Sequence, residues 1–309
     1  MKKNLLLNGM ALFVCLFLFA GAIFAQNQKT VRIESDQTWQ VPTTLDGNPI
    51  VVTSVLFEAW GGGGAGGFVE ARAGLDPRVS GGGGGGAYSR TVIYNPDPSE
   101  TFNITIGQGG YNRAESDGIY IWKYKNHQVA DGGQTVVKKG SSTILEANGG
   151  KTCAMNSTEG AAGGSTVCTA AAVWAGGWGG NAVGDCLAPG NRSSGGGGGA
   201  GYYQASTEIQ GGSGVCHPTN GGGIGGVSEG NGGGGGKGVS NIGVGGSGSG
   251  FGGGGAGSKS GEEWHSGGAG AKGGVIITYT YISEEIDAND AEVTICSDSI
   301  YDVTLNISY

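Results

Sequence analysis

The chain has 309 residues, including 71 glycines and seven prolines, and its formal net charge at pH 7 is −8. This acidic balance excludes the basic surface expected of a nucleic-acid-binding protein or of a protein held at an anionic membrane. Collagen is also excluded, because the glycines form runs instead of occupying every third position and proline is scarce.

The first 25 residues have the features of a secretory signal peptide. Lys2 and Lys3 precede an apolar stretch at residues 5–19, and small residues follow up to Ala25. The apolar stretch is shorter than a typical membrane span. We therefore predict cleavage before Gln26, no membrane insertion of the mature chain, and a secreted, extracellular or cell-surface location.

Short β-strands are predicted on both sides of a glycine-rich region. Residues 50–57 form a β-branched and apolar run typical of a strand covered on both faces. Residues 101–106 alternate, with Phe102, Ile104 and Ile106 on one face. No stretch keeps a 3.6-residue apolar period, so very little α-helix is expected. The sequence predicts an all-β fold, a β-sandwich or jelly roll, whose other strands lie at residues 30–42, 87–94, 134–137, 142–146 and 275–281.

The glycine-rich region spans residues 61–274 and holds 68 of the 71 glycines. A flexible linker is the simplest interpretation of this composition. Aromatic residues interrupt the runs, however, and strands on both sides hold the two ends close together. Because ordering glycine is costly in entropy, the segments need partners, which extended helices with three residues per turn can provide for one another. We predict a large bundle of polyglycine-II helices inserted into the sandwich.

Five pieces of sequence resemble the glycine-rich domain of bacterial surface proteins and phage tail-fibre tip adhesins, over residues 30–282. The glycine-rich domain of the anaplastic lymphoma kinase ectodomain is a more distant parallel. The resemblance implies a β-sandwich that carries polyglycine-II helices, with a role in recognition or scaffolding. Residues 111–129 have no fixed counterpart in the family, so no binding residue is transferred. The matching pieces are residues 38–42, 57–64, 83–89, 100–110 and 274–281.

The tail, residues 283–309, resembles something different. Residues 292–297 and 303–307 look like the opening strands of PKD-like modules in secreted Bacteroidota proteins. The resemblance implies a linker followed by the start of a PKD-like or Ig-like β domain. We therefore expect that the natural chain continues into further domains or that this sequence is a fragment.

Four cysteines lie inside the glycine-rich region, at Cys153, Cys168, Cys186 and Cys216. In an exported protein they are candidates for two disulfides, with three possible pairings. A zinc site is the alternative, but no Cys-x-x-Cys spacing supports it. No metal is predicted.

Catalytic chemistry is not indicated by the sequence. The three histidines are widely separated, and residues 262–265, Glu-Glu-Trp-His, are interpreted as a solvated turn. Matches to Gly-x-Gly-x-x-Gly are numerous but lack the strand and helix that a dinucleotide site needs. We predict no catalytic residues, no cofactor and no enzymatic activity.

The aromatic residues divide into two groups. Those in predicted strands, such as Trp39, Trp60 and Phe102, are assigned to the core. Those in connections are candidates for ligand binding, because binding residues concentrate in loops, although they could equally cover the ends of the bundle. Exposure together on one tip would favour binding, and burial would favour the covering role. The candidates are Tyr120, Trp122, Tyr124, Trp174, Trp178, Tyr202, Tyr203 and Trp264.

The sequence as a whole favours a secreted or cell-surface, adhesin-like binding or scaffold module. Its partner would be a surface glycan or a protein receptor. The alternative is a structural spacer or a component of an extracellular matrix. A carbohydrate-active enzyme is the third and most distant interpretation.

Overall fold

The computed structural model describes residues 27–71, 78–120, 122–164, 233, 235–239 and 243–283. It also gives the backbone of three short strands at residues 172–174, 201–202 and 208–209. The predicted signal peptide and the predicted start of a PKD-like module lie outside these residues. In the described part all regular structure is β and no helix occurs, as the sequence predicts. No helix there is long and apolar enough to cross a membrane.

Fourteen strands are present in chain order. They are β1 (Asn27–Ile33), β2 (Gln37–Gln40), β3 (Thr44–Leu45), β4 (Asn48–Trp60), β5 (Tyr88–Tyr94), β6 (Thr101–Thr105), β7 (Tyr111–Ser116), β8 (Tyr124–Ala130), β9 (Thr135–Lys139), β10 (Ser142–Ala147), β11 (Ala172–Trp174), β12 (Gly201–Tyr202), β13 (Glu208–Ile209) and β14 (Gly274–Ser283).

Two antiparallel sheets pack face to face as a sandwich. One has the order β1-β14-β4-β5-β11, with β3 paired to β4, and the other has the order β10-β9-β6-β2. Their inner faces share one apolar core, in which Phe57 of β4 contacts Phe102 of β6 with ring centroids 4.9 Å apart. Trp39 lies at the edge of this core, 5.7 Å from the Phe57 ring. The predicted strands and core aromatics are therefore confirmed here.

The described glycine segments are held together by backbone hydrogen bonds that repeat every third residue. Residues 61–67 run antiparallel to residues 81–87, and the amides between these contacts turn to other segments. Such a repeat is also the period of the polyproline-II conformation, which has three residues per turn. The bonds to residues 81–87 are Gly61 N–H to Ala87 (3.0 Å), Gly64 N–H to Gly84 (2.8 Å) and Gly67 N–H to Gly81 (2.9 Å); those to residues 268–271 are Gly63 N–H to Ala271 (2.8 Å) and Gly66 N–H to Gly268 (2.9 Å).

These segments approach one another too closely for side chains. A Cβ atom added at Gly64 would overlap the carbonyl oxygen of Lys151, and one added at Gly66 would overlap that of Ala256. The choice of glycine is thus set by packing, and the hydrogen bonds between segments offset its entropic cost.

The glycine segments define a distal end of the molecule. They leave the sandwich next to Trp60 and Tyr88, which form a second small core with Phe251 and Ile276. Seven residues at about 3.1 Å each carry a segment roughly 20 Å from that junction. The distal end comprises residues 67–70, 78–81 and 258–266, and the β7–β8 hairpin lies against it.

Candidate recognition surface

Residues 111–130, which the sequence marks only as an aromatic and charged insertion, form the β7–β8 hairpin. Its loop begins with a turn at Asp117 and Gly118, where Gly118 has a φ of 78°. The Asp117 carboxylate accepts the N–H groups of Tyr120 and Ile119, both at 2.9 Å. These two hydrogen bonds, that of Tyr120 first, lower the pKa of Asp117. The loop therefore has a defined start.

The tip of this hairpin presents apolar and aromatic side chains to solvent. The rings of Tyr120 and Trp122 stack with centroids 4.8 Å apart and an interplanar angle of 29°. The exposed fractions of Ile119, Tyr120 and Trp122 are 76%, 42% and 52%. The Lys123 ammonium lies 4.7 Å from the Tyr120 ring centroid. The two aromatic rings are thus held in place by each other and by Lys123, outside any core.

Two other candidates, Tyr124 and Trp264, behave differently. They pack around Phe68, which is fully buried at the end of the first glycine segment. Trp264 stacks on the Phe68 ring at 5.7 Å and 22°, and Tyr124 meets it edge-on at 4.9 Å. The indole N–H of Trp264 donates to the Lys123 carbonyl at 2.9 Å. For these two residues the structure favours the covering role. The solvated turn predicted at 262–265 is therefore only half right, because Glu262 and Glu263 are exposed whereas Trp264 and His265 are half-buried.

A carboxylate ties the hairpin to the glycine segments. The side chain of Glu70 accepts hydrogen bonds from Asn156 Nδ2 (2.8 Å), Tyr124 Oη (2.9 Å) and Arg78 (3.1 Å). The hydrogen bonds from Asn156 and then Tyr124 are the main causes that lower the pKa of Glu70. Burial first, and then Glu70, raise the pKa of Tyr124. The network fixes the base of the hairpin from three separate stretches of chain.

A second polar contact lies deeper, at Asn112 of β7. Asn112 is buried, and its Nδ2 donates to the Cys153 carbonyl at 2.8 Å. Its Oδ1 lies 2.8 Å from Nε2 of His127, which therefore carries the proton in this pairing. His127 also packs against Phe68 at 4.7 Å. Both strands of the hairpin are thus anchored.

Cys153 is a buried free thiol in this structure. Burial raises its pKa to about 11. The predicted disulfides are therefore not shown for this residue. The other candidates, Cys168, Cys186 and Cys216, lie outside the described residues, so their pairing stays a prediction. Across the described ranges, no group of three His, Cys, Asp or Glu side chains is placed to hold a metal ion.

Of the eight aromatic candidates, Tyr120, Trp122, Tyr124 and Trp264 come together at the distal end. The sequence assigns Trp174 to a connection, but it lies in β11, paired with Tyr88 beside the sandwich. Tyr202 likewise lies in a strand, paired with Glu208. Trp178 and Tyr203 lie outside the described residues. Sequence reasoning missed Phe68 and Glu70, which organise the base of the hairpin but come from a distant stretch of chain.

None of the curated proteins compared with this chain matches it. A family profile described as "Glycine-rich domain" matches residues 34–280, which include the sandwich strands from β2 onwards and all of the described glycine segments. The chain therefore belongs to the glycine-rich domain family.

Proposed function

We propose that this protein is a secreted or cell-surface, adhesin-like recognition module whose contact surface is the tip of the β7–β8 hairpin. The observation that carries the proposal is the stacked and exposed pair Tyr120 and Trp122. Tyrosine and tryptophan are enriched among the residues that dominate binding energy. An exposed aromatic pair with an exposed isoleucine beside it is an unusual cost for a soluble surface, unless a partner covers it.

Preorganisation supports the same function. The turn at Asp117 restrains the start of the loop, and the Glu70 network restrains the base of the hairpin. A partner that binds the tip therefore meets side chains whose freedom is already reduced, which lowers the entropic cost of association. The remote polar contacts thereby contribute to affinity without touching the partner.

In this proposal the glycine segments form a rigid stalk of polyglycine-II helices. The three-residue repeat of hydrogen bonds and the lack of room for Cβ atoms support that conformation. Segments bonded on several sides resist bending more than a single extended chain does. The sandwich would be the base of the module, and the hairpin would be presented at a fixed distance from it.

A structural spacer is the second candidate, because Tyr124 and Trp264 bury apolar surface at the bundle end. A spacer has no need, however, of the exposed Tyr120 and Trp122 pair. The two functions therefore differ in what happens when only that pair is changed.

The test uses the secreted chain with its tip altered. The double variant Tyr120→Ser/Trp122→Ser is compared with Tyr94→Ser, which removes an aromatic side chain that is 74% exposed on the sandwich. Binding of each labelled protein is measured on a printed glycan array and on a panel of intact cells. Amide hydrogen exchange of residues 61–67 and 80–87 verifies that each variant is folded.

We expect the tip variant to lose binding by about 30-fold, from roughly 2 kcal/mol for a central aromatic contact. The Tyr94 variant should bind as the unaltered protein does. Equal binding by all three folded proteins, or no binding by any of them, would favour the spacer.

A further inference from the structure

A surface pocket of about 430 Å³ opens at the base of the hairpin loop. We propose that it binds one neutral pyranose ring of a glycan. The proposal rests on the proposed recognition function and chooses a glycan, instead of a protein receptor, as the partner. The described residues that line the pocket are Ser116, Val244, Glu263, Trp264, His265 and Ser266.

Trp264 gives the pocket an aromatic wall in a fixed orientation. One face of its ring stacks on Phe68, and its indole N–H is already bonded to the Lys123 carbonyl. What remains for the pocket is apolar ring surface without a free donor. The C–H groups on one face of a pyranose pack against such a surface, whereas its hydroxyl groups point outward to polar partners.

The opposite requirement, polar groups for the hydroxyls, is met by the other lining residues. The Glu263 carboxylate is an acceptor that two neighbouring hydroxyls can share, and Ser116 and Ser266 can both donate and accept. Nε2 of His265 is buried and has no hydrogen-bond partner in the described part of the chain. A buried polar atom without a partner is costly, and a sugar hydroxyl that reached it would supply one.

The charge of the pocket selects among sugars. Among the described residues that line it, none is lysine or arginine, and Glu263 is the only carboxylate. Burial lowers the pKa of His265, against the opposing effect of Glu263, so its imidazole is neutral at neutral pH. Uronic acids, sialic acids and phosphate groups would therefore meet repulsion and find no cation.

A cationic ligand is disfavoured by the single aromatic wall. Sites for quaternary ammonium groups surround the cation with several rings, but Trp264 is the one aromatic residue that lines this pocket in the described chain. The Tyr120 ring already has the Lys123 ammonium over it. These observations leave a neutral, hydroxyl-rich ligand as the best match.

The pocket is coupled to the tip through Lys123. Its carbonyl holds Trp264, and its ammonium lies on Tyr120. Ser116 lies at the end of β7, directly before the turn at Asp117. An oligosaccharide with one residue in the pocket could therefore extend toward the stacked pair at the tip.

The experiment is saturation-transfer NMR of the secreted chain with the methyl pyranosides of glucose, galactose and mannose. Methyl glucuronate and tetramethylammonium are the charged comparators. Glu263→Gln is the test variant, and Glu262→Gln is the matched control, because Glu262 is an equally exposed neighbour that does not line the pocket. Both changes are at exposed positions and should leave the fold intact.

We expect at least one neutral pyranoside to bind, and Glu263→Gln to weaken it about tenfold, since a charge-assisted hydrogen bond becomes a neutral one. Glu262→Gln should have no effect. The proposal is overturned if no neutral pyranoside binds at tens of millimolar, if only a charged comparator binds, or if the two variants behave alike.

Failure of this proposal is distinguishable from failure of the recognition function. If the pyranosides do not bind but the tip variant still loses cell binding, the module recognises a partner of another class. If pyranosides bind while the tip variant keeps full cell binding, the pocket stands and the tip is not the contact surface.

Discussion

Replacement of Gly66 by alanine tests whether close packing, and not flexibility, explains the glycine segments. An added methyl group would overlap the Ala256 carbonyl group, which is backbone and cannot rotate away. The segment must therefore shift. A shift endangers the bond from Gly66 N–H to Gly268 (2.9 Å) and that from Gly64 N–H to Gly84 (2.8 Å).

The magnitude follows from these contacts. Overpacking in a well-packed interior costs about 1–3 kcal/mol, and two weakened hydrogen bonds add about 1–3 kcal/mol. The free energy of unfolding should therefore fall by roughly 2–6 kcal/mol, a large part of the stability of an ordinary domain.

The assay is equilibrium urea unfolding followed by tryptophan fluorescence. Gly243→Ala is the matched control, because Gly243 also lies in a glycine segment but a Cβ there would meet nothing within 4 Å. Alanine at that position should change stability by less than about 1 kcal/mol, with a slight gain from the less flexible unfolded chain. If Gly66→Ala is as stable as Gly243→Ala, then the segments are loosely packed, and close packing does not explain why these positions are glycine.

Three further predictions concern the base of the hairpin. Hydrogen bonds hold the folded-state pKa of Glu70 below its ordinary 4.5, so its contribution to stability is present above pH 4.5 and is lost as the pH falls through the folded pKa. Urea midpoints between about pH 3 and 7 should therefore fall less steeply on the acid side for Glu70→Gln than for the unaltered protein, and identical slopes would contradict the role of the carboxylate. Asn112→Ala leaves the buried Cys153 carbonyl without its donor and should lower the free energy of unfolding by about 2–3 kcal/mol, whereas Asn103→Ala, at an exposed position, should lower it by less than about 1 kcal/mol; equal losses would argue against the buried network. With a thiol pKa of about 11 and little exposure, Cys153 should resist iodoacetamide at neutral pH until urea is added, and rapid alkylation of its peptide in the folded protein, detected by mass spectrometry, would show that the thiol is accessible.

The sandwich could be predicted from the sequence because its signals are local. Residues 101–106 alternate along a single strand, and the burial of Phe102 and Ile104 follows that alternation. The run at residues 50–57 belongs to β4, whose inward side chains are buried. In both cases a few neighbouring residues carry the whole pattern, and the rest of the chain only has to supply a facing sheet.

The recognition surface could be predicted only in part, because its contacts join distant stretches of chain. Tyr120 and Trp264 are both aromatic residues in connections, yet one is exposed and the other packs on Phe68. No local pattern indicates the role of Phe68, which ends a glycine segment almost 200 residues before Trp264. The hairpin did have a local signal, the Asp117–Gly118 pair, which is a common hairpin turn. Its strands lack a clean alternation, because much of what they contact is the edge of the glycine bundle.

The packing of the glycine segments also explains where recognition chemistry can be placed. A segment whose neighbours leave no room for a Cβ atom, as at Gly64 and Gly66, cannot carry a side chain that contacts a ligand. Side chains can return only where a segment ends, and the first segment ends in Phe68, Val69 and Glu70. Phe68 supports the Trp264 ring, and Glu70 holds Tyr124 at the base of the hairpin. The same residue choice that packs the bundle therefore confines contact residues to its ends, and the hairpin extends that limited surface with the exposed aromatic pair.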